Sequence, residues 1–214
     1  MSSSEIYKQI KTDGIIAIVR GVDKNKIVDI AKALLEGGIK LMEVTCNTEN
    51  AVEMVDMLSN QMQGKMTIGA GTVLTEQLCE QMSSAGAKYM VAPDVNPQLI
   101  EYCIDRDIPV LPGAATPTEV LTAARHGAKM VKIFPAAELG TNYIKMLKGP
   151  IDHIDFVAVG GVRANTIADF INAGCVAIGI GGSVINNDWI QTNNWSAMTD
   201  AARQYVKQME KAKS

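Results

Sequence analysis

Residues 27–45 read Ile27-Val28-Asp29-Ile30-Ala31-Lys32-Ala33-Leu34-Leu35-Glu36-Gly37-Gly38-Ile39-Lys40-Leu41-Met42-Glu43-Val44-Thr45, and this stretch decides the fold. Ile27, Ile30, Ala31, Leu34 and Leu35 recur at the spacing of an amphipathic helix. Gly37-Gly38 ends it, because glycine accepts the left-handed conformation that closes a helix and turns the chain into the next element. Lys40–Val44 then reads as a short strand, apolar enough to be buried on both faces. The same junction recurs at Ala85-Gly86-Ala87, His126-Gly127-Ala128 and Ala173-Gly174-Cys175.

Working outward, β-rich runs fall at Ile15–Arg20, Lys40–Val44, Met66–Ala70, Tyr89–Ala92, Pro109–Leu111, Met130–Phe134, Asp155–Val159 and Val176–Ile180, with helical patterns between them. Eight such units in 214 residues, about 27 residues each, predict a single α/β domain over residues 1–214, a (β/α)8 TIM barrel. A doubly wound sheet is the competing architecture, but its G-x-G-x-x-G fingerprint is missing after the first run, where Arg20-Gly21-Val22-Asp23 stands. A short N-terminal helix is expected to close the barrel bottom, and a C-terminal helix is expected over Trp195–Lys213, with Met198, Ala201, Ala202, Tyr205 and Met209 on its packing face.

Composition narrows the function. With 47% hydrophobic and 20% charged residues the chain can bury a sizeable core, and a net charge of −3 without a Lys/Arg run speaks against nucleic acid as a partner. No apolar stretch approaches a membrane span, and Met1-Ser2-Ser3-Ser4-Glu5 lacks the features of a secretory signal. Four scattered cysteines without a C-x-x-C pair fit reduced thiols of a cytoplasmic protein. Two histidines, His126 and His153, are too few for a histidine-based zinc site, while this count leaves Mg²⁺ on carboxylates open. Cys46 has no histidine partner and makes a poor nucleophile, and the twelve methionines read as core filler.

Parallel barrels gather their chemistry at the C-terminal ends of strands, so charged residues there are informative. In Met130-Val131-Lys132-Ile133-Phe134-Pro135, alternation puts Lys132 on one face with Met130 and Phe134. A lysine desolvated in a closed barrel has a lowered pKa and supplies the neutral amine that attacks a ketone. The plain alternatives are snorkelling or a charge guarding a sheet edge, and a closed barrel has no edge. Glu43 shares a face with Leu41 and Thr45, where burial would raise its pKa toward neutrality and suit it to proton transfer. A structural ion pair with Arg20 or a lysine is the plain alternative, and the two roles are compatible. Arg20, ending the first run, could hold a carboxylate or phosphate bidentately. Glycine-bearing strand ends follow at Gly69-Ala70-Gly71-Thr72, Gly160-Gly161-Val162 and Gly179-Ile180-Gly181-Gly182-Ser183; the last two follow strands seven and eight, where barrels bind phosphate.

Glu43-Val44-Thr45, Gly69-Ala70-Gly71-Thr72-Val73, Val131-Lys132-Ile133-Phe134-Pro135-Ala136, Val159-Gly160-Gly161-Val162 and Gly181-Gly182-Ser183 together resemble the 2-keto-3-deoxy-6-phosphogluconate aldolases, a group that includes the 4-hydroxy-2-oxoglutarate and 6-phosphogalactonate aldolases. The resemblance runs from about Ile15 to Ile185. It implies a cytoplasmic class I lyase on a (β/α)8 barrel, commonly a homotrimer, that works without metal or other cofactor in carbohydrate metabolism of the Entner–Doudoroff type. On this resemblance Lys132 forms the Schiff base, Glu43 is the acid/base, Thr72 and Arg20 seat substrate anions, and Phe134 packs beside the imine. Gly160, Gly161, Gly182 and Ser183 cradle the phosphate. Two positions depart from the gluconate pattern: Asn47 stands where that branch has an arginine, and Val159 where it has a threonine, which opens the question of C4 specificity. Two rivals share the glycine clusters. One is a phosphate-binding isomerase, epimerase or decarboxylase that uses Lys132 only as a cation, and the other is a non-catalytic barrel that senses a phosphorylated ligand.

Overall fold

The computed structural model describes residues 1–214. Its strands are β1 (Ile15–Val19), β2 (Leu41–Thr45), β3 (Thr67–Gly71), β4 (Met90–Val91), β5 (Val110–Leu111), β6 (Gly113–Ala114), β7 (Met130–Ile133), β8 (Asp155–Val159) and β9 (Cys175–Ile180). They pair in parallel in the order β5-β4-β3-β2-β1-β9-β8-β7-β6. The helices are α1 (Ser3–Asp13), α2 (Ile27–Glu36), α3 (Ala51–Gln61), α4 (Glu76–Ser84), α5 (Pro97–Asp105), α6 (Pro117–Arg125), α7 (Ala136–Leu139), α8 (Thr141–Lys148), α9 (Ile167–Asn172), α10 (Asn187–Gln191) and α11 (Trp195–Lys213).

The fifth sequence run, read as ending at Leu111, continues through Ala114 in two pieces. Pro112 has no N–H to give the ladder, so pairing is interrupted there. β5 pairs with β4 and β6 with β7, while the Pro112 carbonyl accepts from the Lys132 N–H at 2.9 Å. The two ends of the strand order are therefore one stretch of chain, and the sheet closes as an eight-unit (β/α)8 barrel. Gly38, Gly86, Gly127 and Gly174, all at positive φ, follow α2, α4, α6 and α9, which is the role the glycine junctions were read to have.

Apolar side chains fill two compartments. The larger lies between strands and helices; the smaller lies inside the barrel and includes Ile16, Leu41, Tyr89, Val91, Leu111, Met130, Val157, Val159 and Ala177. Ile6, Tyr7 and Ile10 of α1 belong to the inner compartment, so α1 closes the bottom as expected. The Tyr7 hydroxyl donates to the Val110 carbonyl at 3.3 Å and accepts from the Val110 N–H at 3.0 Å. A capping box, Ser2 with Glu5, starts this helix.

The C-terminal helix α11 lies along α2 and α9, burying Met198, Thr199, Ala202, Tyr205 and Met209. Thr199 donates to the Ala33 carbonyl at 3.0 Å, fixing the register of α11 on α2. Gly37 makes this approach possible, since a Cβ there would lie 2.8 Å from the Thr199 carbonyl oxygen and overlap the Ala202 methyl. Its φ of −76° is ordinary, so the requirement is one of space alone. Gly37→Ala is therefore expected to destabilise the protein by roughly 1–3 kcal/mol. Urea denaturation reads this directly, and an unchanged midpoint would mean that α11 shifts freely on α2.

Candidate active site

At the C-terminal mouth of the barrel a cleft of about 480 Å³ is lined by Arg20, Glu43, Thr72, Lys132, Phe134, Val159, Gly160, Gly161, Gly182 and Ser183. These residues come from segments as far apart as Arg20 and Ser183, and barrel closure alone brings them together. A larger cleft of about 750 Å³ opens at the opposite end, beside the N-terminal ends of β2 and β3. Its lysines, Lys40, Lys65 and Lys88, are all exposed, whereas the mouth holds a buried carboxyl, Glu43, and a buried amine, Lys132. The chemistry therefore belongs to the smaller cleft.

Lys132 sits on β7 facing inward with Met130, its neighbours in register being Gly113 and Val157. It is only 6% exposed. Burial lowers its pKa, the nearby Glu43 charge opposes that shift, and Arg20 adds to it. Its ammonium nitrogen lies 4.9 Å from the centre of the Phe134 ring. Snorkelling to solvent is thus excluded, as is a role in guarding an edge.

Glu43, on β2, is 2% exposed. Burial pushes its pKa up to about 7, against the opposing pull of Lys132 and then Arg20. No ion pair in the chain includes Glu43, Lys132 or Arg20, so the structural ion-pair reading of Glu43 does not hold. Room for the carboxylate comes from β3, where a Cβ at Gly71 would fall 2.8 Å from Glu43 Cδ.

Arg20 donates to the Thr72 hydroxyl at 3.2 Å, which points a guanidinium and a hydroxyl at the same corner of the cleft. Thr72 has φ of 55°, an unfavourable conformation for a β-branched residue that is maintained at functional positions by surrounding structure. The following N–H, of Val73, is tied to the Val91 carbonyl at 3.1 Å. The loop after Arg20 is fixed by the Gly21 N–H donating to Thr48 at 3.0 Å, and Thr48 in turn hydrogen-bonds Thr45 at 3.0 Å.

On the other side of the mouth, Gly160 and Gly161 have φ of 95° and 74°. A side chain at Gly161 would collide with Ala137, and one at Gly160 would press on the Phe134 ring. In the turn after β9, the N–H groups of Val184 and Ile185 both bond back to the Gly181 carbonyl at 2.9 Å. That leaves the Gly182 and Ser183 N–H groups outside the turn's own hydrogen bonds and beside the cleft. Backbone donors backed by small residues form a site for a tetrahedral anion.

Asn47 is exposed beyond β2 and does not line the cleft, whereas Val159 does. Arg163, which sequence reading missed, also lines the cleft, two residues beyond Gly161. Its signal was available as a cation directly following Gly160-Gly161-Val162. Cys46, beside Glu43, has its thiol pKa pushed up to about 12 by burial and then by the Glu43 charge, the opposite of an activated nucleophile. No three His, Cys, Asp or Glu side chains converge in a way that could hold a metal ion.

A parallel barrel with a buried lysine, a buried carboxylate and a glycine-lined corner at its C-terminal mouth places the chain among the (β/α)8-barrel enzymes. The sequence profile of the KDPG and KHG aldolases matches residues 6–201, and the chain belongs to that family. It is 34% identical to the 2-dehydro-3-deoxy-phosphogluconate aldolase of Treponema pallidum, over 78% of this chain and 79% of that protein. It is 33% identical to the 2-dehydro-3-deoxy-6-phosphogalactonate aldolase of Escherichia coli, over 78% of this chain and 82% of that protein. Among solved structures, the native KDPGal structure superposes with a TM-score of 0.86 at 30% identity, covering 92% of this chain and 95% of that one. The KDPG aldolase of Legionella pneumophila, with pyruvate captured as a covalent carbinolamine, superposes with a TM-score of 0.85 at 26% identity, covering 91% and 94%.

The raised pKa of Glu43 has a consequence for stability. Its folded-state value near 7 lies above the unfolded value of 4.5, so between these pH values the folded protein holds a proton that the unfolded chain has lost. Stability attributable to this group is full below pH 4.5 and falls as pH rises to 7, by roughly 3 kcal/mol in all. Glu43→Gln should therefore melt several degrees higher than the parent at pH 8, with the difference shrinking toward pH 4. Calorimetric scans at the two pH values check it, and equal melting at pH 8 would show that the carboxylate is not desolvated.

Proposed function

We propose that this protein is a class I aldolase that cleaves a 2-keto-3-deoxy-6-phospho-sugar acid to pyruvate and glyceraldehyde 3-phosphate, and that it also accepts 4-hydroxy-2-oxoglutarate, giving pyruvate and glyoxylate. The observation that carries the reading is Lys132, buried, with its pKa lowered by desolvation, facing the same cleft as a glutamate that titrates near neutrality. That pairing supplies a nucleophilic amine and a proton carrier together.

In this mechanism the Lys132 amine adds to the C2 ketone and loses water to give a protonated imine. Glu43 takes the proton of the C4 hydroxyl through a water. The electrons of the C3–C4 bond move into the imine, leaving an enamine of pyruvate and releasing the aldehyde. Protonation at C3 and hydrolysis then return pyruvate and free Lys132. The iminium is the electron sink, so no metal enters any step. Arg20 and Thr72 hold the substrate carboxylate, and Phe134 covers one face of the imine. The amides around Gly160, Gly161, Gly182 and Ser183 receive the phosphate, with Arg163 adding charge at the rim.

The two relatives above divide between gluconate and galactonate enzymes at nearly equal identity, so C4 specificity has to be argued from the residues present. Valine at position 159 offers no hydrogen bond, and Asn47 lies outside the cleft. A site that does not hydrogen-bond a hydroxyl discriminates weakly, so the two C4 epimers should differ by no more than about a hundredfold in kcat/KM. The trimeric assembly, the cytoplasmic setting, the Entner–Doudoroff role and the action of residues 1–214 as one domain belong to the same proposal.

Borohydride reduction in the presence of pyruvate should leave a covalent adduct on Lys132, seen by intact mass and peptide mapping. Lys132→Ala should lose the adduct and at least about a thousandfold in turnover. Binding of a sugar phosphate without any adduct would replace the aldolase by an isomerase, epimerase or decarboxylase on the same barrel. Because the mechanism needs Glu43 ionised, kcat/KM should rise with pH through about 7, and a flat profile between pH 5.5 and 8 would remove Glu43 from the proton-transfer role.

A further inference from the structure

Inside the barrel, beneath the cleft, lies one ionisable side chain that the mechanism above does not use. Tyr89 immediately precedes β4, is fully buried, and its hydroxyl has no hydrogen-bond partner. A phenol taken from water without a partner is unfavourable, and buried tyrosines usually find one.

The position of the ring says where a partner must be. Gly69 of β3 pairs in register with Glu43 of β2, and the Ala70 N–H donates to the Tyr89 carbonyl at 2.9 Å. A Cβ at Gly69 would run into the far half of the Tyr89 ring, 2.6 Å from Cε1. The ring thus lies across β3 at Gly69, hydroxyl end leading. Two residues further along the same face of β3, the space over Gly71 is taken by the Glu43 carboxyl. Residues i and i+2 of a strand face the same side about 6.6 Å apart along the backbone, so the phenol and the carboxyl are next neighbours on that face. Gly69 and Gly71 therefore act as two adjoining recesses, one holding the phenol and the other the carboxylate. The charged and titratable groups that face Glu43 are Lys132 from β7, Arg20 after β1, Cys46 after β2 and Tyr89 itself. Among the influences that set the Glu43 pKa there is no hydrogen bond.

We propose that Tyr89 is a positioning residue whose otherwise unpartnered hydroxyl donates, by way of bridging water, to the Glu43 carboxylate and holds it in the orientation used for proton transfer. The inference deepens the aldolase reading and rests on Glu43 being its acid/base. A donor to the ionised form favours ionisation, so Tyr89 keeps Glu43 from rising further than burial alone would take it.

Tyr89→Phe keeps the ring over Gly69 and removes only the hydroxyl. Infrared difference titration, with Glu43→Gln as the reference, follows the Glu43 carboxyl directly and reads its ionisation whatever reaction the protein catalyses. The midpoint is expected to move up by about one pH unit in Tyr89→Phe, a tenfold change in acidity. The ascending limb of kcat/KM should move with it, giving a severalfold loss at pH 7 that is largely recovered by pH 9, while pyruvate adduct formation on Lys132 persists. If the hydroxyl merely fills space, Tyr89→Phe will melt at the same or a higher temperature and leave the infrared midpoint where it was, and the proposal is then wrong. Loss of the pyruvate adduct in the unaltered protein would remove the aldolase reading, while a shifted infrared midpoint would still establish the Tyr89–Glu43 link.

Discussion

A ring of parallel strands has no edge, and every side chain that faces its axis near mid-strand loses water. That desolvation is the constraint on which the rest of this protein depends. It places Lys132 and Glu43 in a medium where neither charge is comfortable, lowering the pKa of one and raising that of the other toward the neutral range. In an open sheet, Lys132 could reach solvent along an edge and remain an ordinary ammonium. Closure through Pro112, whose carbonyl receives the Lys132 N–H, is therefore part of the chemistry as well as of the architecture.

The interior is arranged so that this desolvation is tolerated. Apolar residues and the plug formed by Ile6, Tyr7 and Ile10 fill the lower barrel, while the upper barrel is left wide by glycines. Gly69 and Gly71 give up side-chain volume on β3 so that an aromatic ring and a carboxylate can occupy it. Gly160 and Gly161 do the same at the rim, where backbone amides rather than side chains face the cleft. A core built only for stability would place aliphatic residues at all of these positions. The unfavourable φ of Thr72 and the buried carboxylate of Glu43 are local departures from that ideal, and both lie in the cleft.

Much of this was legible in the order of residues. The helix–glycine–strand junctions are local, so the α/β alternation, the eight units and the C-terminal helix could be read from periodicity and from where glycine falls. Charge in an otherwise aliphatic run singled out Lys132 and Glu43, because a strand pattern makes such a residue conspicuous. The split of the fifth strand was harder to see. Gly113-Ala114 carries almost no side-chain signal, and its pairing with β7 is fixed by a neighbour in space. Arg163 was passed over because a single arginine in a loop looks the same whether it meets solvent or a ligand. Asn47 was singled out by the resemblance, as the position where the gluconate branch has an arginine, and the turn after β2 carries it to an exposed place outside the cleft lining.

The sequence by itself determined the eight strand–helix units and the identity of most of the chemically unusual residues, since each follows from interactions within a few turns or pleats of chain. Only the tertiary structure decided that Arg20 meets Thr72, that Glu43 forms no ion pair, that the glycine of one strand houses the carboxylate of another, and that Tyr89 is left with an unpaired hydroxyl beneath the site. Those are contacts between strands that are distant in sequence. Their geometry depends on register and closure, which are properties of the whole ring and not of any segment in it.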